Sequence, residues 1–281
     1  MDLRDLFAST DMEEVASGFE FTEGPVWHPD GYLLFSDIPA NTIYRWQEGR
    51  EPISWREPSG HSNGLTFDRQ GRLVACEHGN RCVSRTEVDG TLTALATHYH
   101  GKRLNSPNDI VVRSDGSVYF TDPPYGVDPE ERELAFSGVY RIPPDGGDLE
   151  LLMDDFERPN GLAFSPDERI LYVDDTWRRH IRAFDVADDG GLSSGRVFAE
   201  MPSDMEGGPD GMKVDVEGNI YSTGPGGLWI YQPDGHLVGT IMGPHPPANL
   251  AFGGPERKTL YLTARTSLYR LTTRIAGMPV F

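Results

Sequence analysis

Six side chains in this 281-residue chain share one chemistry and one spacing. Glu23, Asn63, Asn108, Asn160, Asp210 and Asn249 follow one another at intervals of 40, 45, 52, 50 and 39 residues. Each carries a carboxylate or amide oxygen, and none is a lysine, arginine, histidine or cysteine. Brought to one place, such a set suits a hard divalent cation. Calcium accepts six to eight oxygens, amide carbonyls included, at about 2.3–2.6 Å, whereas zinc is more often given His or Cys. One divalent cation is therefore expected, calcium first, with zinc, magnesium and manganese as the alternatives. Two carboxylates nominally neutralise the ion and lower the cost of confining either charge. Taken singly, the Asn-Gly and Asp-Gly pairs also suit turns, where Asn and Asp tolerate positive φ. The case for a site rests on all six falling at one phase, and Glu23 is the least turn-like of them.

These residues need a scaffold that repeats, and the sequence supplies one. Six segments share a pattern of a polar residue, a small residue, an apolar stretch, a turn and a second apolar stretch. They are EGPVWHPDGYLLFSD, NGLTFDRQGRLVACE, NDIVVRSDGSVYFTD, NGLAFSPDERILYVDD, DGMKVDVEGNIYSTG and NLAFGGPERKTLYLTA, each beginning at one of the six residues. Each reads as two strands joined by a tight turn, with Asp-Gly, Gln-Gly or Glu-Gly in most. A third strand often follows, over 42–46, 138–142, 181–186, 227–232 and 266–271. Four short strands fit a repeat of about 45 residues. The expected fold is all-β: a six-bladed β-propeller of four-stranded antiparallel blades, one domain over residues 1–281. A β-sandwich with coincidental spacing is the alternative. The last repeat has only 33 residues, so a strand from 15–21 is expected to complete the last blade and close the ring. In a propeller, equivalent residues of successive blades lie at equal height around the channel, so the six oxygens form a ring at one mouth.

The second strand of each blade returns to that mouth. Its end carries Asp37, Glu77, Asp122, and Asp174 or Asp175, which either orient ligands and water or are solvated loop charges. His61 and His245 lie two and four residues before ring positions, within reach of the mouth. Lys102 and Arg103 are bases near Asn108. Cys76, His78 and Cys82 lack a fourth ligand and the usual paired zinc spacing, and read as unrelated reduced thiols with a loop histidine. The sequence has no phosphate-cradling glycine loop, G-x-S-x-G elbow or H-E-x-x-H, leaving serine nucleophiles and nucleotide binding without support.

Bulk composition narrows the field further. With 44 acidic and 25 basic residues the net charge is −19, which repels nucleic-acid phosphates and anionic membrane surfaces. The 32 glycines and 22 prolines exceed the usual share and are spread along the chain, as many short turns require. Two cysteines exclude a disulfide framework. The first residues, MDLRDLFASTDMEE, show no basic stretch leading into an apolar run. A cytoplasmic protein, monomeric or dimeric, with no nucleic-acid or membrane partner, is the expectation.

The motifs EGPVW at Glu23, NSPND at Asn105, TDPPYG at Thr121, RPNGLAFSPD at Arg158, GGPDGM at Gly207 and NLAFGG at Asn249 resemble the SMP-30/gluconolactonase/LRE-like family, in its bacterial gluconolactonase branch. The resemblance runs from about residue 15 to the C-terminus. It implies a six-bladed propeller with a divalent metal, often calcium, at the channel mouth. It also implies that Glu23, Asn160 and Asp210 are metal ligands, and that Asn108 completes the shell or contacts substrate. Asp210 matches the carboxylate that serves as general base or nucleophile. Animal members carry an Arg-x-Asn-Asp motif; here Arg103 stands five residues before Asn108, so Asn108 is the better match.

The substrate class implied is a sugar lactone, opened to its aldonic acid by metal polarisation of the ester carbonyl and attack of water. That water is activated by Asp210 or by the ion itself. Asn63, Arg103, Asn108, Asp122, Asn249 and His245 are the expected substrate contacts. Hydrolysis of organophosphate esters or anhydrides on the same metal, and a non-catalytic calcium-stabilised binding module, are the alternatives.

Overall fold

The computed structural model describes residues 1–281, the side chain of Ser194 excepted. Six four-stranded antiparallel sheets stand in sequence order around a central channel. Blade 1 comprises Thr22–His28, Tyr32–Asp37, Thr42–Trp46 and Ile53–Arg56, and blade 2 comprises Ser62–Phe67, Leu73–Glu77, Cys82–Thr86 and Leu92–Ala96. Blade 3 follows as Ile110–Val112, Val118–Asp122, Ser137–Ile142 and Glu150–Phe156, and blade 4 as Pro159–Phe164, Ile170–Asp175, His180–Val186 and Leu192–Glu200. Blade 5 is Met212–Val214, Ile220–Gly224, Gly227–Tyr231 and Leu237–Met242. The expected six-bladed propeller is the observed fold.

Burial follows strand position. Every residue of Ser62–Phe67 and Leu73–Glu77 is buried, whereas the outer strand Ile53–Arg56 is largely exposed. Inner strands are covered on both faces by neighbouring blades, so they read as continuous apolar runs rather than alternating ones. Between blades 2 and 3, for example, Val74, Val83, Ile110, Phe120 and Tyr140 form one packed cluster. Each fully buried large apolar side chain contributes about 1.5–3 kcal/mol relative to exposure.

Ring closure is made by the N-terminus. Blade 6 holds Asn249–Gly253, Thr259–Ala264 and Ser267–Thr272, and its outermost strand is Glu13–Ser17. That strand pairs antiparallel with Ser267–Thr272, from Glu13 opposite Arg270 to Ser17 opposite Ser267. It lies earlier than the expected 15–21 because Gly18, at φ 96°, turns the chain out of the sheet. Ahead of it, a capped helical turn, Leu3–Leu6, leads to Phe7. Leu6 and Phe7 are buried against Tyr221, Leu250, Phe252 and Leu260.

The C-terminal segment crosses the other end of the channel. Gly277 N–H donates to Arg257 O at 2.8 Å and Met278 N–H to Val214 O at 3.2 Å. Phe281 then packs on His28 and Phe67, with ring centroids 5.6 Å away in both pairs. Above this strap the channel encloses a cavity of about 120 Å³ walled by Val26, Leu65, Leu162 and Ala251, with Lys213 among them.

Candidate active site

The turn reading of the Asn-Gly pairs does not survive the structure. Asn63 and Asn160 lie inside the first strands of their blades, each in a bulge where the pairing with the second strand shifts register. The glycine that follows each is required by close approach of the next blade. A Cβ on Gly64 would lie 2.6 Å from Asn108 O and 2.7 Å from Asp109 Oδ1, and one on Gly161 would collide with Asp210 O and lie 2.8 Å from Asp174 Oδ2. The ring residues are thereby drawn together, which a turn requirement would not do.

All six meet at one mouth in a continuous series of contacts. Asn63 Nδ2 donates to Asn108 Oδ1 at 2.7 Å, and Asn108 Nδ2 donates to Asn160 Oδ1. Asn160 and Glu23 are the polar side-chain neighbours of Asp210, and Asn249 is that of Glu23. Asn249 Nδ2 also reaches across the channel to Asp109 Oδ2 at 3.4 Å. Glu23 is 2% exposed, and its Oε2 accepts Gly24 N–H at 2.7 Å. Asp210 keeps partial solvent access at the floor of the mouth.

The electrostatics are those of crowded carboxylates. Burial, and then the charges of Glu23 and Asp109, push the Asp210 carboxyl well above the usual range. Burial and the Asp109 charge raise Glu23, against the opposing pull of Gly24 N–H, Asn249 and Lys213. Burial raises Asp109, and burial with Asp210 and Asp109 raises Asp174. Lys213, whose ammonium donates to Met212 O at 2.9 Å, provides partial compensation. Asp174 Oδ1 accepts Gly161 N–H at 3.2 Å, while its Oδ2 is buried without a partner among the described residues.

This arrangement fits a hard divalent cation. The donors are oxygens, the negative charge exceeds what one lysine neutralises, and one buried carboxylate oxygen is left unpaired. Glu23, Asn160 and Asp210, with Asn108 beside them, are the residues that could hold such an ion.

Several contributors were missed by the sequence reading. His78 is the histidine that reaches the ring: its Nε2 lies 3.2 Å from Asn108 Oδ1. Burial lowers its pKa to about 4, so it is neutral and, with Nε2 protonated, donates to Asn108. Asp109 occupies the place taken by glycine after four of the other ring residues. The departure of Asn-Asp from Asn-Gly was its sequence signal. Lys213 also enters the cluster, and so does Asp174, one of the second-strand carboxylates singled out in the sequence. Tyr125, Arg158, Thr176 and Trp177 form a rim on the blade 4 side: Asn160 Nδ2 lies 3.2 Å from Thr176 Oγ1, and the Arg158 guanidinium stands 4.0 Å above the Trp177 ring and 6.0 Å from that of Tyr125.

Other expected contacts lie elsewhere. Asp122 is fully buried; its Oδ2 accepts Asn105 N–H at 2.8 Å, and burial lifts its pKa to about 7. Its neighbours in sequence phase do the same work. Asp37 accepts the N–H groups of Glu20 and Phe21 at 2.9 and 3.1 Å, and Asp175 those of Glu157, Arg158, Trp177 and Arg178 at 2.8–3.2 Å. These carboxylates are neither solvated charges nor ligand orienters: they pin the loops that enter each blade. Glu77 instead pairs with Arg56 at 3.0 Å.

Arg103 donates to Asn80 O at 3.2 Å, and the Arg103 N–H to Glu133. The His245 ring sits 6.3 Å from that of Tyr269, by the N-terminal strand, and His61 Nδ1 contacts Ile38 O at 2.8 Å. None of these has a hydrogen bond to the ring among the described residues. Cys76 and Cys82 are buried free thiols, as expected.

The sequence profile of the SMP-30/gluconolactonase/LRE-like region matches residues 21–266. The chain belongs to the SMP-30/gluconolactonase/LRE-like family. It is 35% identical to the gluconolactonase of Zymomonas mobilis, across 97% of this chain and 84% of that protein. It is 29% identical to a pentonolactonase of Haloferax volcanii, across 92% and 93%. A solved Xanthomonas campestris structure, described as a gluconolactonase important in glucose secondary metabolic pathways, superposes with a TM-score of 0.86. It shares 38% identity, and the match covers 93% of this chain and 89% of that one. The family's shared propeller explains why the six repeats carry the same phase. No helix of the chain is long and apolar enough to cross a membrane.

Proposed function

We propose that this family member is a lactone hydrolase that opens sugar lactones of the gluconolactone type to aldonic acids, with one divalent cation, calcium first, held by Glu23, Asn160, Asp210 and Asn108. The observation that carries the reading is the convergence of six oxygen-bearing residues from six blades on one mouth, in a chain whose full-length relatives are named lactonases. The bound cation would polarise the lactone carbonyl and stabilise the charge that develops on its oxygen.

The chain's own groups supply the rest. Asp210, oriented by Asn160, accepts a proton from the attacking water as the new C–O bond forms at the acyl carbon. The ring C–O bond then breaks, and the same carboxyl returns that proton to the departing alkoxide. One lactone and one water give one hydroxy acid, and Asp210 ends as it began. Asp210 is suited to this role by its place beside both the ion and the incoming water rather than by its basicity, which a bound cation would lower. His78 and Asn63 hold Asn108, which holds Asn160, so the amides arrive preorganised. Asn63, Asn108 and Asn249 remain the proposed substrate-facing amides. Arg103, Asp122 and His245 are not used, because the first and last sit apart from the ring and Asp122 is sealed beneath a loop.

Acid release from glucono-δ-lactone, followed in a pH-stat against the spontaneous blank, tests the reading. Turnover that rises with protein concentration is expected. A rate equal to the blank with six- and five-carbon aldonolactones, after divalent cations are added, would contradict it.

A further inference from the structure

Trp177 is out of place for a structural residue. It is 62% exposed, so most of the stabilisation available from burying a large aromatic is forgone. Yet it is held firmly. The Asp175 carboxylate accepts the N–H groups of Glu157 and Arg158 on one loop, and of Trp177 and Arg178 on the next. One fully buried carboxylate thus fixes two loops against each other. The Arg158 guanidinium covers one face of the indole at 4.0 Å, with the attraction expected of a cation over an aromatic ring. This is the ring's only aromatic or cation contact among the described residues, and the side chain remains largely exposed.

The position of this ring is set by its neighbours. The adjacent residue, Thr176, touches the proposed ligand Asn160 at 3.2 Å and donates to Pro209 O at 2.8 Å, next to Asp210. Tyr125, on the far side of Arg158, is near enough to feel the charges of Asp210 and Asp174. The loop that carries the exposed indole therefore borders the mouth.

We propose that Trp177, backed by Arg158 and Tyr125, is the platform that receives the hydroxylated carbons of the substrate ring while the acyl group sits at the oxygen cluster. The inference rests on the lactone hydrolase reading and assigns its specificity. C–H groups polarised by adjacent hydroxyls carry partial positive charge and stack on the electron-rich aromatic face. Arg158 offers N–H donors to hydroxyl oxygens at the same edge. A lactone without hydroxyls meets neither feature. This makes Trp177 and Arg158 specificity determinants, with no part in moving protons.

The test compares glucono-δ-lactone with δ-valerolactone, the same ring without hydroxyls. In Trp177→Ala the ratio of their kcat/KM values is expected to fall about 10-fold, mainly through KM for gluconolactone, and Trp177→Phe is expected to recover most of it. An unchanged ratio, or equal losses on both substrates, would overturn the platform. A change in oligomeric state by sedimentation, with the ratio intact, would mean that Trp177 serves a protein partner instead. Saturation-transfer NMR with anhydroglucitol, the hydroxylated ring without a carbonyl, reads the contact without turnover. Transfer seen in the native protein and lost in Trp177→Ala supports the platform even if no lactone is hydrolysed, and absence of transfer in the native protein counts against it.

Discussion

The two ends of the central channel are built from the same six first strands, yet they are chemically opposite. At one end the strands present Glu23, Asn63, Asn108, Asn160, Asp210 and Asn249. Two or three residues further along, about 7–10 Å by strand rise, they present Val26, Leu65, Leu162 and Ala251 around a small apolar cavity, with the C-terminal strap below. The mouth concentrates like charges that oppose one another; the strapped end buries apolar surface and closes the ring from beneath. Lys213 stands between them, its charge drawing down Glu23 and Asp109. The contrast places stability in one end and the proposed chemistry in the other: the mouth crowds carboxylates that a cation would neutralise, and the propeller tolerates that crowding because the remainder of the channel is packed.

Breaking the polar end should have the largest effect. Asp210→Asn removes the proton acceptor while preserving size, and kcat for gluconolactone is expected to fall on the order of 10³-fold. The thermal midpoint of the cation-free protein should rise in the same variant, because an amide in place of the buried carboxyl relieves its crowding with Glu23, Asp109 and Asp174. Undiminished turnover would remove Asp210 from the mechanism.

Stripping the cation comes next. A tightly bound ion stabilises by about 4 kcal/mol at a thousandfold excess over its dissociation constant, so chelation should lower the melting midpoint by on the order of 10 °C at pH 8. The deficit should narrow on acidification. Glu23 is raised from 4.5 to about 7 by burial and the Asp109 charge, so the cation-free folded state binds its proton more tightly than the unfolded chain. Stability is therefore lost as pH rises through that window and regained as it falls. His78, lowered to about 4, acts in the opposite sense, but it does so with and without cation and largely cancels from the difference. Melting curves at pH 5 and pH 8, with and without chelator, check this; a deficit that grows on acidification would reverse the assignment.

The apolar end should give the smallest effect, and a different kind. Deleting Met278–Phe281 removes the Phe281 contacts with His28 and Phe67. The midpoint should fall by about 5 °C, while kcat/KM of the cation-loaded protein stays within twofold. A large loss of kcat at unchanged stability would show that the two ends are coupled, contrary to the comparison.

Much of this was legible in the sequence because the fold repeats. Six copies of one strand-turn-strand pattern gave the blade number, the ring residues and the need for a closing strand. Rotation then converted equal phase into equal height. What escaped lies outside the shared phase. Asp109 entered the site because it stands where other blades have glycine, and His78 because its loop folds back onto Asn108. His245 and Arg103, close to ring residues in sequence, are carried away by their loops. Asp122 and Asp175 looked like site carboxylates; buried, each satisfies backbone N–H groups that would otherwise go unpaired. Proximity along the chain is a poor guide where a loop, rather than a strand, sets direction.

The central claim is that Glu23 and Asp210 are brought together to share one cation. Elemental analysis of the purified native chain, Glu23→Gln and Asp210→Asn, exchanged against the same calcium-containing buffer, tests it directly. The account predicts one tightly held divalent ion per native chain and its loss from both folded variants. Equal metal content in all three, or none in a native protein that hydrolyses lactones at full rate, would contradict it.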